Sequence, residues 1–249
     1  MKKLLLLIPL LACGSFFYPA HAQVSPDALG TVRYEVRYQL KGIDTKVADA
    51  TISLENSTWN EKQVLHSHAI IRAASVFRLF LNAEYLADAY LLPDAKEPVY
   101  YMNPIKKGGE TGKFECIYDR REKTITSLFI RPSADPVQET YPLDGKSMDL
   151  LSLLQFVRFL SLSEGRSLSM HVLKAGLSVP AVLASQGLDT ERFPDVATDR
   201  FLLDMKEKGL MENGSGNKIT VWRSSGSDRQ ILGLEVNLGS GVMSVSIKQ

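Results

Sequence analysis

Cysteine is scarce in this 249-residue sequence, which contains only Cys13 and Cys116. Cys13 lies in an N-terminal segment with the character of a leader, so Cys116 has no cysteine partner in the mature chain. An intramolecular disulfide is therefore excluded, and an apolar core must hold the fold together. Because polar and apolar residues alternate around Cys116, we expect it to behave as a small apolar residue on the face of a strand.

The sequence also lacks an excess of charge and a long apolar run. Lysine and arginine total 29 and aspartate and glutamate total 28, and loss of Lys2 and Lys3 with a leader changes the net charge from +1 to −1. This balance gives no basic surface for a phosphate backbone, so nucleic acid is not a predicted partner. Residues 4–11 are too few to cross a bilayer, which takes about 20 apolar residues, and no later segment approaches that length without charges. The sequence therefore predicts no transmembrane segment.

No motif of a named enzyme chemistry is present. Residues 213–217 (NGSGN) lack the strand-to-helix setting of a serine nucleophile, and residues 106–109 (KKGG) lack the rest of a Walker phosphate loop. Carboxylates are scattered along the chain, and they include Glu55, Glu61, Asp88 and Glu115. We therefore predict a non-catalytic protein without a cofactor, and we assign no catalytic residue.

The N-terminus has the organisation of a signal peptide. A cationic start is followed by the apolar residues 4–11, and Ala20-His21-Ala22 has the small-X-small form of a cleavage site. We expect residues 1–22 to be removed and the protein to be exported to the periplasm or cell envelope. The alternative is a lipoprotein anchored at Cys13 within residues 10–13 (LLAC). Secretion without an anchor is favoured because Leu11 is bulkier than the usual residue at that position.

Most of the mature sequence has the pattern of β-strands. Residues 32–40 alternate apolar and polar side chains without a break, which predicts a strand with one solvated face. Weaker alternation follows at residues 48–54, 63–72, 85–92, 99–103, 113–118, 123–130, 168–173, 177–184, 197–205, 219–224, 231–238 and 242–247. Turn residues separate these segments, and short links allow only antiparallel pairing. The sequence therefore predicts an all-β protein with an antiparallel sheet of about a dozen strands.

One leucine-rich segment, residues 147–163, predicts a long apolar helix. Ser147 is the predicted N-cap, and Gly165 lies where a helix would stop. Polar residues occur at every third position, so apolar side chains face nearly every direction around the helix. We expect a curved or barrel-like sheet to clasp this helix. The proline-containing residues 131–145 are interpreted as a connection inside one β-rich domain, residues 23–249.

Several features in order along the chain are similar to one uncharacterised bacterial family. They include Trp222 with Asp228-Arg229 near the end, the opening strand at residues 33–36, and Leu79-Phe80 before Tyr85. With the helix and Gly165, this layout resembles domain-of-unknown-function family 3108 over nearly the whole mature chain. The resemblance implies an exported Gram-negative envelope protein with a curved or barrel-like sheet, and it implies no established activity.

The apolar helix suggests a ligand-binding cleft between helix and sheet. An apolar molecule such as a lipid acyl chain would occupy it, since exposed apolar side chains on the helix otherwise forgo burial. Residues expected to line the cleft are Leu150, Leu153, Leu154, Phe156, Val157, Phe159, Leu160 and Trp222. Trp222 has a second interpretation as the core anchor of a hairpin. Two alternatives remain at this point: a partner-binding structural or assembly protein with a sealed core, and a hydrolase acting on envelope glycans or lipids.

His66 and His68 are two residues apart, so on a strand both rings project from one face. That spacing could present two nitrogens to Zn²⁺, but a site needs a third ligand. His171 lies about a hundred residues away in the sequence, and no cysteine or carboxylate cluster accompanies the pair. We therefore predict an exposed polar strand face here and no metal site.

Overall fold

The computed structural model describes residues 24–75, 84–107, 110–131, 134–143, 145–174, 177–205 and 217–248. Within them lie fifteen strands, one α-helix and a 3₁₀ turn at Pro26–Ala28. The helix is α1 (Leu150–Phe159). The strands are β1 (Gly30–Leu40), β2 (Ile43–Trp59), β3 (Lys62–Ala73), β4 (Glu84–Leu91), β5 (Pro98–Lys107), β6 (Glu110–Asp119), β7 (Thr124–Ile130), β8 (Val137–Pro142), β9 (Lys146–Asp149), β10 (Ser167–Lys174), β11 (Leu177–Asp189), β12 (Thr198–Met205), β13 (Lys218–Ser224), β14 (Ile231–Asn237) and β15 (Val242–Ile247).

All fifteen strands belong to one sheet, in the order β8-β7-β6-β5-β4-β3-β2-β1-β15-β14-β13-β12-β11-β10-β9. Strand β1 pairs with β15, so the two ends of the described chain meet in the middle of the sheet. The sheet is not closed, and its two edges, β8 and β9, follow each other in sequence. The predicted antiparallel β architecture is confirmed. The pair β9–β10 is parallel, whereas only antiparallel pairing was predicted. Parallel pairing is possible here because α1 supplies the crossover that it needs.

The sheet is curved around the helix. Gln155 of α1 donates a hydrogen bond to Ser67 of β3, and Arg223 of β13 donates to carbonyl oxygens of the same helix. Neighbouring strands are about 4.8 Å apart, so a flat sheet would place β3 and β13 about 24 Å from each other. Because a helix with its side chains is only about 10–12 Å wide, the sheet must curl to reach it from both sides. The predicted clasp is confirmed.

The apolar core is divided into two large clusters on opposite sides of α1. Leu153, Phe156 and Val157 pack against inward residues of β10–β14, whereas Leu151 packs against inward residues of β2–β7. Cys116 lies in the second cluster and is fully buried, as the sequence predicted for a small apolar residue. Among the described residues, no helix has the length and apolar character needed to cross a membrane.

The helix is shorter than the predicted residues 147–163. Ser147 is not its N-cap, because the backbone of residues 146–149 pairs with β10 as strand β9. Asp149 caps the helix instead, accepting a hydrogen bond from the Ser152 amide at 2.8 Å. At the other end, Arg223 donates to the carbonyls of Val157 and Leu160 at 2.8 and 2.7 Å, and the chain leaves the helix after residue 159.

Residues 131–145 were predicted to be a connection, and the structure shows that they are more than that. They contain β8, an edge strand whose residues are largely exposed. Alternation is absent because both faces of this strand are largely exposed, and Pro142 is tolerated at an edge.

Candidate functional site

The seven residues of the helix segment that were predicted to line a cleft are neighbours in the structure. Most of them are directed into the two core clusters. Leu153, Phe156 and Val157 are buried in the first core cluster, and Leu150 and Leu160 pack against it. Phe159 packs against the second cluster, and Leu154 is half-buried. Six of the seven therefore pack against the protein's own core in the space between helix and sheet.

Polar side chains also cross this space. Gln155 bonds to Ser67 Oγ at 2.9 Å, and Arg158 donates to the carbonyls of Ala28 at 2.6 Å and Arg229 at 3.0 Å. Arg158 is 7 % exposed, and burial lowers its pKa. Polar residues that wind around the predicted helix are thus bonded to the sheet and to the N-terminal segment, which fixes the helix in place.

Trp222 is not brought together with the helix residues. Its neighbours on β13, Val221 and Arg223, face the helix side of the sheet, so Trp222 faces the opposite side. Its indole N–H donates to Asp189 Oδ2 at 3.1 Å, and the ring meets Phe193 edge to face at 6.4 Å between centroids. Trp222 therefore attaches the turn after β11 to the outer face of the sheet.

Two pockets lie at the margins of the fold. One of about 340 Å³ is at the C-terminal end of α1, with Phe159, Lys96 and Arg229 in its wall. The other, about 400 Å³ and mostly apolar, is beside the start of β9, with Met170 and Pro180 in its wall. Of the predicted lining residues, only Phe159 reaches either of these pockets.

A cluster of functional groups lies on the outer face of β2, β3 and β4. The strand register places Asp88 opposite His68 and Glu55 opposite His66. Asp88 Oδ1 is 2.8 Å from His66 Nε2 and 2.8 Å from His68 Nδ1, and Glu55 Oε1 is 3.2 Å from His66 Nδ1. Within the described residues, His66, His68 and Asp88 form a group whose potential ligand atoms all lie within 4.8 Å of one another. We call these three residues the histidine–aspartate cluster.

Hydrogen bonds within the cluster shift the pKa values of His66 and Asp88. The hydrogen bond with Asp88 raises the pKa of His66 above its ordinary value, although burial opposes the shift, and Glu55 adds to it. Burial opposes ionisation of Asp88, but hydrogen bonds from His66 and His68 hold the pKa of its carboxyl below the usual range. One oxygen atom of Asp88 thus forms hydrogen bonds with both imidazole rings.

Aromatic side chains continue from the cluster across the same outer face. Tyr90 stacks on His66 at 4.5 Å between ring centroids, and Trp59 lies 4.8 Å from Tyr90 and 4.4 Å from Tyr100. Ile117 is opposite Tyr100 in the register of β5 and β6, and it is 53 % exposed. We call Trp59, Tyr90, Tyr100 and Ile117 the outer aromatic strip.

The profile of a protein family of unknown function, DUF3108, matches residues 33–246. The chain belongs to the DUF3108 family. Among curated proteins, none matches this sequence. This DUF3108 chain is similar in structure to a β-barrel-like protein of domain of unknown function DUF1849 from Brucella abortus, with 8 % identity, 88 % of this chain and 95 % of that chain covered, and a TM-score of 0.51.

A second solved structure that matches this chain is that of lipoprotein LppX from Mycobacterium tuberculosis. The two sequences are 13 % identical, the match covers 88 % of this chain and 85 % of that chain, and the TM-score is 0.28. The DUF1849 protein supports the barrel-like fold alone. Membership of a family of unknown function and this fold are compatible with a non-catalytic binding protein, and neither assigns an activity.

The histidine–aspartate cluster of this DUF3108 chain was only half visible in the sequence. The spacing of His66 and His68 placed both rings on one strand face, which the structure bears out. Asp88 was missed because it joins the pair through the register of β3 and β4, and the sequence does not reveal a contact between His68 and a residue twenty positions further on. The available signal was the position of Asp88 between the buried Ala87 and Ala89, which marks an outward side chain on β4.

Proposed function

We propose that this DUF3108 protein is exported to the cell envelope and binds another envelope protein there without catalysing a reaction. The observation that carries the proposal is the outer aromatic strip. Tryptophan and tyrosine are enriched in protein interfaces, where their rings bury a large area with few rotatable bonds. Val64 lies on the same face and is buried, and Trp59 contacts both tyrosine rings, so side chains pack against one another on this face.

The strip favours a macromolecular partner over a small molecule. Small-molecule sites are concave, and the two pockets described above are lined by other residues. Tyr90, Tyr100 and Ile117 lie side by side on the neighbouring strands β4, β5 and β6. The two tyrosine rings are half-buried, and Ile117 is exposed to solvent. A partner that covered this row would bury apolar surface, which stabilises a complex by roughly 25 cal/mol per Å² before the costs of association.

The interior of the fold supports the same choice. An apolar ligand between helix and sheet would have to displace side chains such as Phe156 and Val157, and it would also break the Gln155–Ser67 bond. Each buried polar group left without a partner costs about 1–3 kcal/mol. The partner-binding alternative with a sealed core is therefore better supported than the apolar-ligand alternative, which stays a prediction.

Export is part of the proposal and rests on the sequence. Residues 1–22 have the three parts of a signal peptide, with a cleavage site at Ala20-His21-Ala22. These residues lie outside the part of the chain that the structure describes. Release after Ala22 is proposed over anchoring at Cys13.

Site-specific photocrosslinking in living cells tests the partner. A benzophenone amino acid at Ile117 is expected to give a discrete crosslinked protein, because Ile117 is the exposed member of the outer aromatic strip. The matched control is Leu188 on β11, an apolar strand residue that is 71 % exposed in the other half of the sheet. The crosslink at Ile117 should fall at least tenfold in a Trp59→Ala, Tyr100→Ala background with an unchanged circular dichroism spectrum. Equal crosslinking from both positions, or none from Ile117, contradicts the proposal.

A further inference from the structure

The geometry points to a binding site for a divalent transition-metal ion at the histidine–aspartate cluster, and we propose Zn²⁺ as the ion that it takes. Two imidazole nitrogens and one carboxylate oxygen are ligands that Zn²⁺ binds in proteins, and zinc sites with three protein ligands take a water molecule in the fourth position. Binding of Zn²⁺ at the cluster does not depend on a protein partner.

The distances between the ligand atoms suit such a site. In a tetrahedral zinc site with bonds of 2.0–2.1 Å, the ligand atoms are about 3.3 Å apart. Here Asp88 Oδ1 is 2.8 Å from both His66 Nε2 and His68 Nδ1, and the whole group spans no more than 4.8 Å. Small side-chain rotations are therefore enough to surround an ion. The His68 side chain is 33 % exposed, which leaves a route for the ion and for a water ligand.

Glu55 has the position of a supporting residue. It lies 3.2 Å from His66 Nδ1, on the side of the ring opposite Asp88. When Nδ1 carries a proton and donates it to Glu55, Nε2 is left free to bind a metal. Metal-binding histidines usually make such a bond from their second nitrogen, which fixes the tautomer and orients the ring. The stacked ring of Tyr90, at 4.5 Å and 11° from His66, holds the same orientation.

The backbone beneath the cluster is rigid. All of the cluster's residues lie on paired strands, and Ser67, Ala87 and Ala89 on the opposite face are buried. The two carboxylates, Asp88 and Glu55, supply the negative charge that offsets a divalent cation. The site is therefore largely built before an ion arrives, which limits the entropy lost on binding.

Isothermal titration of the untagged mature chain with ZnCl₂ at pH 7.5 tests the site. We expect one Zn²⁺ per chain and no comparable binding of Ca²⁺ or Mg²⁺, which prefer all-oxygen ligands. His68→Ala and Asp88→Asn should each weaken Zn²⁺ binding at least 100-fold, and Glu55→Gln should weaken it about 10- to 100-fold. The control, His171→Ala on β10, should change binding less than twofold.

The titration can overturn the site without bearing on the protein partner. Absence of Zn²⁺ binding to the wild-type chain rules the site out. So does binding that survives both His68→Ala and Asp88→Asn, or binding that His171→Ala weakens as much as they do. Circular dichroism spectra that match the wild type show that the variants are folded. If His68→Ala does not fold, the test rests on Asp88→Asn, which preserves the shape of the side chain. Equal affinity for Ca²⁺ contradicts a transition-metal site.

Discussion

Replacing Arg158 by alanine is expected to lower the free energy of unfolding by about 3–5 kcal/mol, because several buried groups lose their partner at once. The guanidinium donates to Ala28 and Arg229 carbonyls and to Gln155 Oε1, the last at 2.9 Å. It therefore joins the N-terminal segment, the helix and the turn before β14. Urea unfolding followed by circular dichroism measures the change.

Two further variants make the test of Arg158 specific. Arg166→Ala, which removes an exposed arginine, should change stability by less than about 0.5 kcal/mol. Arg158→Met keeps most of the volume without the donors, so it should lose less stability than alanine but far more than the Arg166 control. A loss for Arg158→Ala within about 1 kcal/mol of the control would show that the arginine does not hold the helix in place.

Asp149 gives the second large effect, and this effect depends on pH. The carboxylate accepts hydrogen bonds from the Ser152 amide at 2.8 Å, from Ser152 Oγ at 2.6 Å and from the Tyr118 hydroxyl at 3.2 Å. It is buried, and burial raises its pKa to about 6 despite those bonds. Asp149→Ala should cost about 2–4 kcal/mol, because the helix loses its cap and the buried Tyr118 hydroxyl loses an acceptor.

The direction of the pH dependence follows from the raised pKa. In the unfolded chain an aspartate titrates near 3.9, so between that pH and about 6 the folded state binds more protons than the unfolded state. The contribution of Asp149 to stability is therefore complete below pH 3.9 and is lost as pH rises through 6, by about 3 kcal/mol. The free energy of unfolding, measured at pH 4, 5, 6 and 7, should fall with rising pH by this amount more in the wild type than in Asp149→Asn. Parallel pH profiles of the two proteins would contradict it.

Strand positions could be predicted because one face of nearly every strand is buried. In β1, Tyr34 and Val36 point inward between polar residues, and the same alternation continues in β3 around Leu65 and Ser67. β8 was missed for the opposite reason, since both of its faces are largely exposed. β9 was missed because its four residues continue directly into the helix, and only pairing with β10 separates the two elements.

The candidate site could be predicted only in part, because it depends on which residues become neighbours across strands. The spacing of His66 and His68 is local, whereas the approach of Asp88 and Glu55 depends on two separate registers. Trp222 shows a related limit. Val221, Trp222 and Arg223 are all buried, so alternation could not reveal which of them faces the helix.

Native mass spectrometry of the protein purified from the cells that naturally produce it, followed by organic extraction, tests the central claim most directly. That claim is that the sheet seals the helix and that the protein acts through its outer face. The predicted result is a polypeptide beginning at Gln23, with no acyl lipid recovered in proportion to protein. Recovery of about one lipid per chain, lost when Phe156 is replaced by a charged residue in a chain that remains folded, would contradict the sealed interior.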